Sequence, residues 1–96
     1  MKLGGEHTIS GTAKRLDDSS VPCRLITIRL DVGASPCYFG NADADVGGQR
    51  HGYLTATETE GESWTFGPYQ NGGLRPQELY IFGTAGDILF WDGTPA

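Results

Sequence analysis

Two histidines, His7 and His51, and two cysteines, Cys23 and Cys37, are the side chains of this chain best suited to bind a transition metal or attack a substrate. Zinc and metallopeptidase sites place imidazoles or thiolates at short fixed spacings such as H-x-H or H-E-x-x-H. Neither spacing occurs, and His7 and His51 read as surface or strand-edge residues. A cysteine–histidine nucleophile would also need a third, orienting group and a shaped pocket, which the spacing does not supply. Ser10, Ser19, Ser20, Ser35 and Ser63 lack a G-x-S-x-G setting and read as turn or strand residues. The expectation is a chain with no catalytic residue, no bound cofactor and no enzymatic activity.

The carboxylates offer one alternative. Asn41, Asp43 and Asp45 form an N-x-D-x-D run, the alternate-oxygen pattern by which some loops present ligands to a hard cation. The closing glycine and bidentate glutamate of a helix-loop-helix calcium site are missing, so a solvated acidic loop competes with that reading. Glu58, Glu60 and Glu62 cluster in a turn without an apolar wall to raise one pKa, which makes solubility a better account than acid–base hydrolysis. Cys23 and Cys37 read either as buried thiols, expected of a reduced cytosolic product, or as a disulfide.

Aromatic rings give a binding hypothesis. Tyr38, Tyr53, Trp64, Tyr69, Tyr80 and Trp91 are available to stack on sugars or to fill a protein interface. Alternation in Ser63-Trp64-Thr65-Phe66 puts Trp64 and Phe66 on one face, expected to be core. Tyr80 and Phe82 share a face that is either core or interface. Trp91, near the chain end, and Tyr69, in a loop, are expected to be exposed, and an oligomer or other protein interface is preferred to a carbohydrate site for both. The expected interface residues are therefore Tyr69, Tyr80, Phe82 and Trp91.

The elements that must carry these residues are short. With 96 residues, the chain has room for one domain, 1–96, with one modest core. Its 15 glycines punctuate brief β-branched and aromatic runs that are too short for helices. Strands are expected over 6–14, over 23–30 with Ile26, Ile28 and Leu30 inward and Arg24 and Arg29 on opposite faces, over 37–40, weakly over 41–46, over 51–56 and over 63–67. The last third, Leu79 to Trp91, reads as a hairpin turning on Gly83-Thr84-Ala85-Gly86, with 93–96 as a tail. Seven or eight strands at this spacing predict an all-β, compact antiparallel sandwich of jelly-roll or Greek-key type.

Charge narrows the partners. A net charge of −5 opposes binding to nucleic acid or an anionic membrane. No apolar run approaches the ~18–20 residues of a spanning helix, and the N-terminus lacks the apolar core of a secretory signal. A basic or neutral docking site, with attachment weakened by salt, is the corresponding expectation.

In order, Ile26-Thr27-Ile28-Arg29-Leu30-Asp31, Cys37-Tyr38-Phe39-Gly40-Asn41, Gly61-Glu62-Ser63-Trp64-Thr65-Phe66-Gly67 and Glu78-Leu79-Tyr80-Ile81-Phe82-Gly83-Thr84-Ala85-Gly86-Asp87 resemble small tailed-bacteriophage virion proteins. The resemblance covers about residues 21–92 and rests on structural motifs. It implies a capsid decoration or cement protein that forms a homo-oligomer, dimer or trimer, and docks on the major capsid protein in the virion assembled in the host cytoplasm. The other role it implies is a tail- or head-fibre module binding a receptor or carbohydrate through Trp91, Tyr69 and the Asn71-Gly72-Gly73 loop.

Overall fold

The computed structural model describes residues 3–42 and 50–96. Within them, eight strands form two four-stranded sheets in which every neighbouring pair is antiparallel. They are β1 (Leu3–Thr8), β2 (Lys14–Arg15), β3 (Cys23–Leu30), β4 (Cys37–Gly40), β5 (Arg50–Leu54), β6 (Ser63–Phe66), β7 (Tyr80–Phe82) and β8 (Ile88–Pro95). A single 3₁₀ turn, Pro76–Glu78, precedes β7, and its backbone start is held by the Glu78 carboxylate accepting from Arg75 N–H at 3.0 Å.

The first sheet has the order β1-β8-β3-β6 and the second β2-β7-β4-β5. The pairs β1–β8, β2–β7, β3–β6 and β4–β5 are those of one long hairpin, and the additional pairs β8–β3 and β7–β4 fold that hairpin into two layers. In consequence β7 and β8 lie in different sheets. The Gly83-Thr84-Ala85-Gly86 turn therefore does not close the local hairpin that its sequence advertises; it carries the chain between layers. Strand β8 also runs on to Pro95, because Gly93 pairs with both Leu3 and Ile26, so most of the expected tail is strand. The expected first strand splits into β1 and β2, and the end of the expected strand over 41–46 lies outside the described residues from Asp43 onward.

Alternation builds the core. Strand β3 buries Cys23, Ile26, Ile28 and Leu30. A bulge between Cys23 and Leu25 shifts the phase, which leaves Arg24 and Arg29 both exposed despite their odd spacing. Cys37, Phe39, Leu54 and Ile81 face this layer from the second sheet, each at most 2 % exposed. Phe39 joins the two layers, its ring centroid 5.3 Å from Phe66 edge-on and 5.5 Å from Trp64. Gly52 makes room for it: a Cβ there would meet the Phe39 ring at 2.5 Å. Ile26, Ile28 and Leu30 take the core positions expected of them, while Trp64 departs from expectation. Its ring lies on the inner side, but β6 is an edge strand, and half of the residue (50 %) is exposed. Phe66 packs against the core while partly exposed.

Candidate functional site

The outer face of the second sheet collects aromatic rings. Because Cys37 and Phe39 point inward, Tyr38 between them points out, and the same logic around Ile81 turns Tyr80 and Phe82 outward. Register places Tyr38 directly opposite Tyr53 on β5 and opposite Phe82 on β7. The ring centroids are 6.1 Å apart for Tyr38–Tyr53 and 5.0 Å apart for Tyr38–Phe82. Tyr53 is 62 % exposed, the most exposed large apolar side chain described. On β2, opposite Tyr80, Arg15 donates from Nε to Tyr80 Oη at 3.2 Å, and this bond raises the already high guanidinium pKa.

Two properties define what this face can do. The first is ring attitude: Tyr38 and Phe82 are inclined by only 22°, and coplanar rings lying flat on the sheet could not have centroids 5.0 Å apart. They stack on one another, so the two rings do not form one continuous flat platform. The second is charge. Arg15, opposite Tyr80, is the charged side chain that register places on this face, and strands β2, β4, β5 and β7 contain no carboxylate, although the chain as a whole is acidic.

The interface residues expected from sequence divide. Tyr80 and Phe82 belong to this face. Tyr69 is exposed (38 %) but sits apart, in the loop after β6, where its backbone N–H donates to Arg24 O at 3.0 Å. Trp91 is a correction: at 7 % exposure it lies in the core, because β8 is not a terminal strand but a central one between β1 and β3. A fibre-type site using Trp91 is therefore not available on the folded monomer. Tyr38 and Tyr53 complete the face, and the period-two alternation around Phe39 and Leu54 was the signal that could have found them.

The groups considered for chemistry are dispersed. His51 is exposed on β5; His7, expected at the surface or at a strand edge, lies on the edge strand β1 but is only 8 % exposed, on its inner side. Its Nδ1–H donates to Leu16 O at 3.1 Å, and Nε2 is buried without a partner. Burial lowers its pKa, outweighing the opposing effects of the Leu16 bond and of Asp17. Cys23 and Cys37 are free and buried. Burial pushes the Cys37 thiol up to about 11, against a smaller lowering by its hydrogen bond with the Leu54 backbone. At neutral pH it is a thiol and a poor nucleophile. Among the described residues no three His, Cys, Asp or Glu side chains are placed to hold a metal ion. Asn41 is exposed, and Asp43 and Asp45 lie outside the described residues. Glu62 is committed to the turn: its Oε1 accepts from Thr55 N at 2.7 Å and Thr55 Oγ1 at 2.6 Å, which lowers its pKa.

No family model matches the chain, and no curated protein matches it. One solved structure, of the disulfide-linked pili of Bacillus endospore appendages, aligns at 15 % identity and a TM-score of 0.47 over 100 % of this chain and 87 % of that one. A likeness of that strength carries no argument about this chain.

Proposed function

We propose that this chain is a structural protein of a tailed-phage virion, a jelly-roll capsid decoration protein that self-associates and docks on the outer shell through the aromatic face of its second sheet. The jelly-roll reading rests on the strand orders β1-β8-β3-β6 and β2-β7-β4-β5, which are those of a long hairpin wrapped into facing sheets. The virion assignment rests on the motif resemblance described above. The observation that carries the docking role is the Phe82–Tyr38–Tyr53 row: three neighbouring rings held outside the core by strand register. Aromatic side chains supply large contact area at small entropy cost and are enriched where proteins meet.

In this reading the protein performs no chemistry. Each copy adds buried area across a joint between capsid subunits, and binding only to the assembled shell shifts the equilibrium toward assembly. Several copies acting together multiply modest contacts through effective concentration. A carbohydrate-binding fibre module is the weaker reading, because Trp91 is buried and Tyr38 and Phe82 stack on one another.

The test is copy number per purified virion by quantitative mass spectrometry against the major capsid protein, for the wild type and for Tyr53→Lys. Copies at shell-wide stoichiometry, lost in the variant, are the expected result. A handful of copies would move the protein to a tail, vertex or fibre site, and absence from the particle would overturn the virion assignment.

A further inference from the structure

Two layers leave four sheet edges, and the chain treats them unequally. An open edge presents unpaired backbone groups, which proteins blunt with charges or by keeping the strand short. Strand β2 is only two residues long and consists of Lys14 and Arg15. Strand β5 begins Arg50-His51. On β1, Ile9 N–H donates to Asp87 O at 2.7 Å, which fixes the alternation so that Gly4, Glu6 and Thr8 turn their backbone groups to the free edge. Glu6 thus guards the middle of that edge. Strand β6, Ser63-Trp64-Thr65-Phe66, contains no charge, no proline and no bulge in its pairing with β3.

The phase of β6 is also fixed. Leu30 N–H donates to Glu62 O at 3.0 Å, while Glu62 N–H turns away to Thr55 O at 3.0 Å and closes that end of the strand; by alternation from the Leu30 bond, Ile28/Trp64 is a hydrogen-bonded pair. Thr27/Thr65 is then a non-hydrogen-bonded pair with close side chains, consistent with its hydroxyl–hydroxyl distance of 3.1 Å. Ser63 and Thr65 therefore direct their N–H and C=O groups to the open edge.

We infer that β6 is a self-pairing edge, on which a second copy of this chain adds antiparallel about a two-fold axis through Trp64. The argument for a second copy is self-complementarity. With Ser63 of one copy bonding Thr65 of the other, and the reverse, Trp64 stands opposite its own counterpart in a non-hydrogen-bonded pair, where cross-strand side chains approach most closely. The half-exposed indoles cover each other, and each already rests on its own Phe39, so the two cores become continuous. Along Ser63–Phe66 no like charges are brought face to face, which matters for a chain of net charge −5. The first sheets of the two copies join into one. So short an edge buries less than the ~1,200 Å² of a standard interface, so association is weak and concentration-dependent, suited to copies held close together. The inference needs neither the virion assignment nor the outer aromatic face.

The test combines sedimentation velocity with amide hydrogen exchange on the full chain across a concentration series. Expected are a monomer–dimer equilibrium and exchange at Ser63 and Thr65 slowed about fivefold at ten times the dissociation constant, with the Gly4 and Glu6 amides unchanged. Thr65→Lys, on the solvated outer face, and Trp64→Lys should both give folded monomers, while Tyr53→Lys should dimerise as the wild type does. A wild type that remains monomeric at ~1 mM, or dimers that survive Thr65→Lys and vanish in Tyr53→Lys, would overturn it. Because Tyr53→Lys removes virion attachment in the docking proposal and spares the dimer here, failure of one is separable from failure of the other.

Discussion

The outer faces of the two sheets are built by the same alternation and carry opposite contents. On the first sheet, Thr27 and Thr65 bond to each other, Arg29 lies 5.6 Å over the Phe90 ring, and Glu6 and Asp92 are exposed beside them. That face resolves its own polar groups and meets water. On the second sheet, Tyr38, Tyr53, Tyr80 and Phe82 face outward with Arg15, and no strand there supplies a carboxylate. One face of a sandwich must be apolar to form the core; a second apolar face is unnecessary for folding, and the docking proposal rests on that excess.

The largest expected effect lies beneath that surface. Phe39→Ala should remove about 3–5 kcal/mol of stability in urea unfolding, because Phe39 touches both layers. Its neighbour Tyr38 sharpens the contrast across one strand. Tyr38→Ala or Tyr53→Ala should cost about 1 kcal/mol of stability but 2 kcal/mol or more of attachment to the shell, read by a binding isotherm. Equal losses of stability and attachment would erase the distinction between inner and outer sides. If the rings dominate, attachment should change less than about threefold between ~50 and ~500 mM salt. A steep salt dependence would transfer docking to the acidic loops, as net charge alone predicts.

Titration separates the inner side from both outer faces. The pKa of His7 in the fold is below its ordinary 6.5, so the unfolded chain binds the proton first. Stability should be complete above pH 6.5, fall as the pH drops from there toward the lowered value, and then level off. His7→Asn keeps a donor for Leu16 O and should flatten that segment of the pH profile while lowering the plateau. A second loss should follow at more acid pH: Glu62 has a pKa below 4.5, and its contribution is present above that value and disappears as pH falls through the lowered one. The smallest effect belongs to the first sheet's outside, where Thr27→Val should change stability by about 0.5 kcal/mol or less and leave attachment intact.

Period-two patterning made much of this architecture legible before any coordinates. The inward set Ile26, Ile28 and Leu30, the strand at 37–40 and the lack of α-helix among the described residues follow from short β-branched and aromatic runs between glycines and prolines. The failures share a cause. Local cues, alternation for Trp64 and nearness to the terminus for Trp91, miss that β6 is an edge and β8 is central: Trp64 keeps the expected inner side but is half exposed, and Trp91 is buried. His7 is buried for a similar reason: β1 pairs with β8, 80 or more positions away, and turns His7 toward Leu16. The Gly83-Thr84-Ala85-Gly86 turn misled for the same reason, since a turn's composition does not say whether its flanking strands pair.

What the sequence alone determined is therefore the alternation within each strand, and with it which neighbouring side chains part company, because successive residues of a strand must face opposite ways. What only the tertiary structure decided is which strands are edges and which outward residues become neighbours. Those depend on pairings between segments distant in the chain, such as Tyr38 with both Tyr53 and Phe82, that no local pattern specifies.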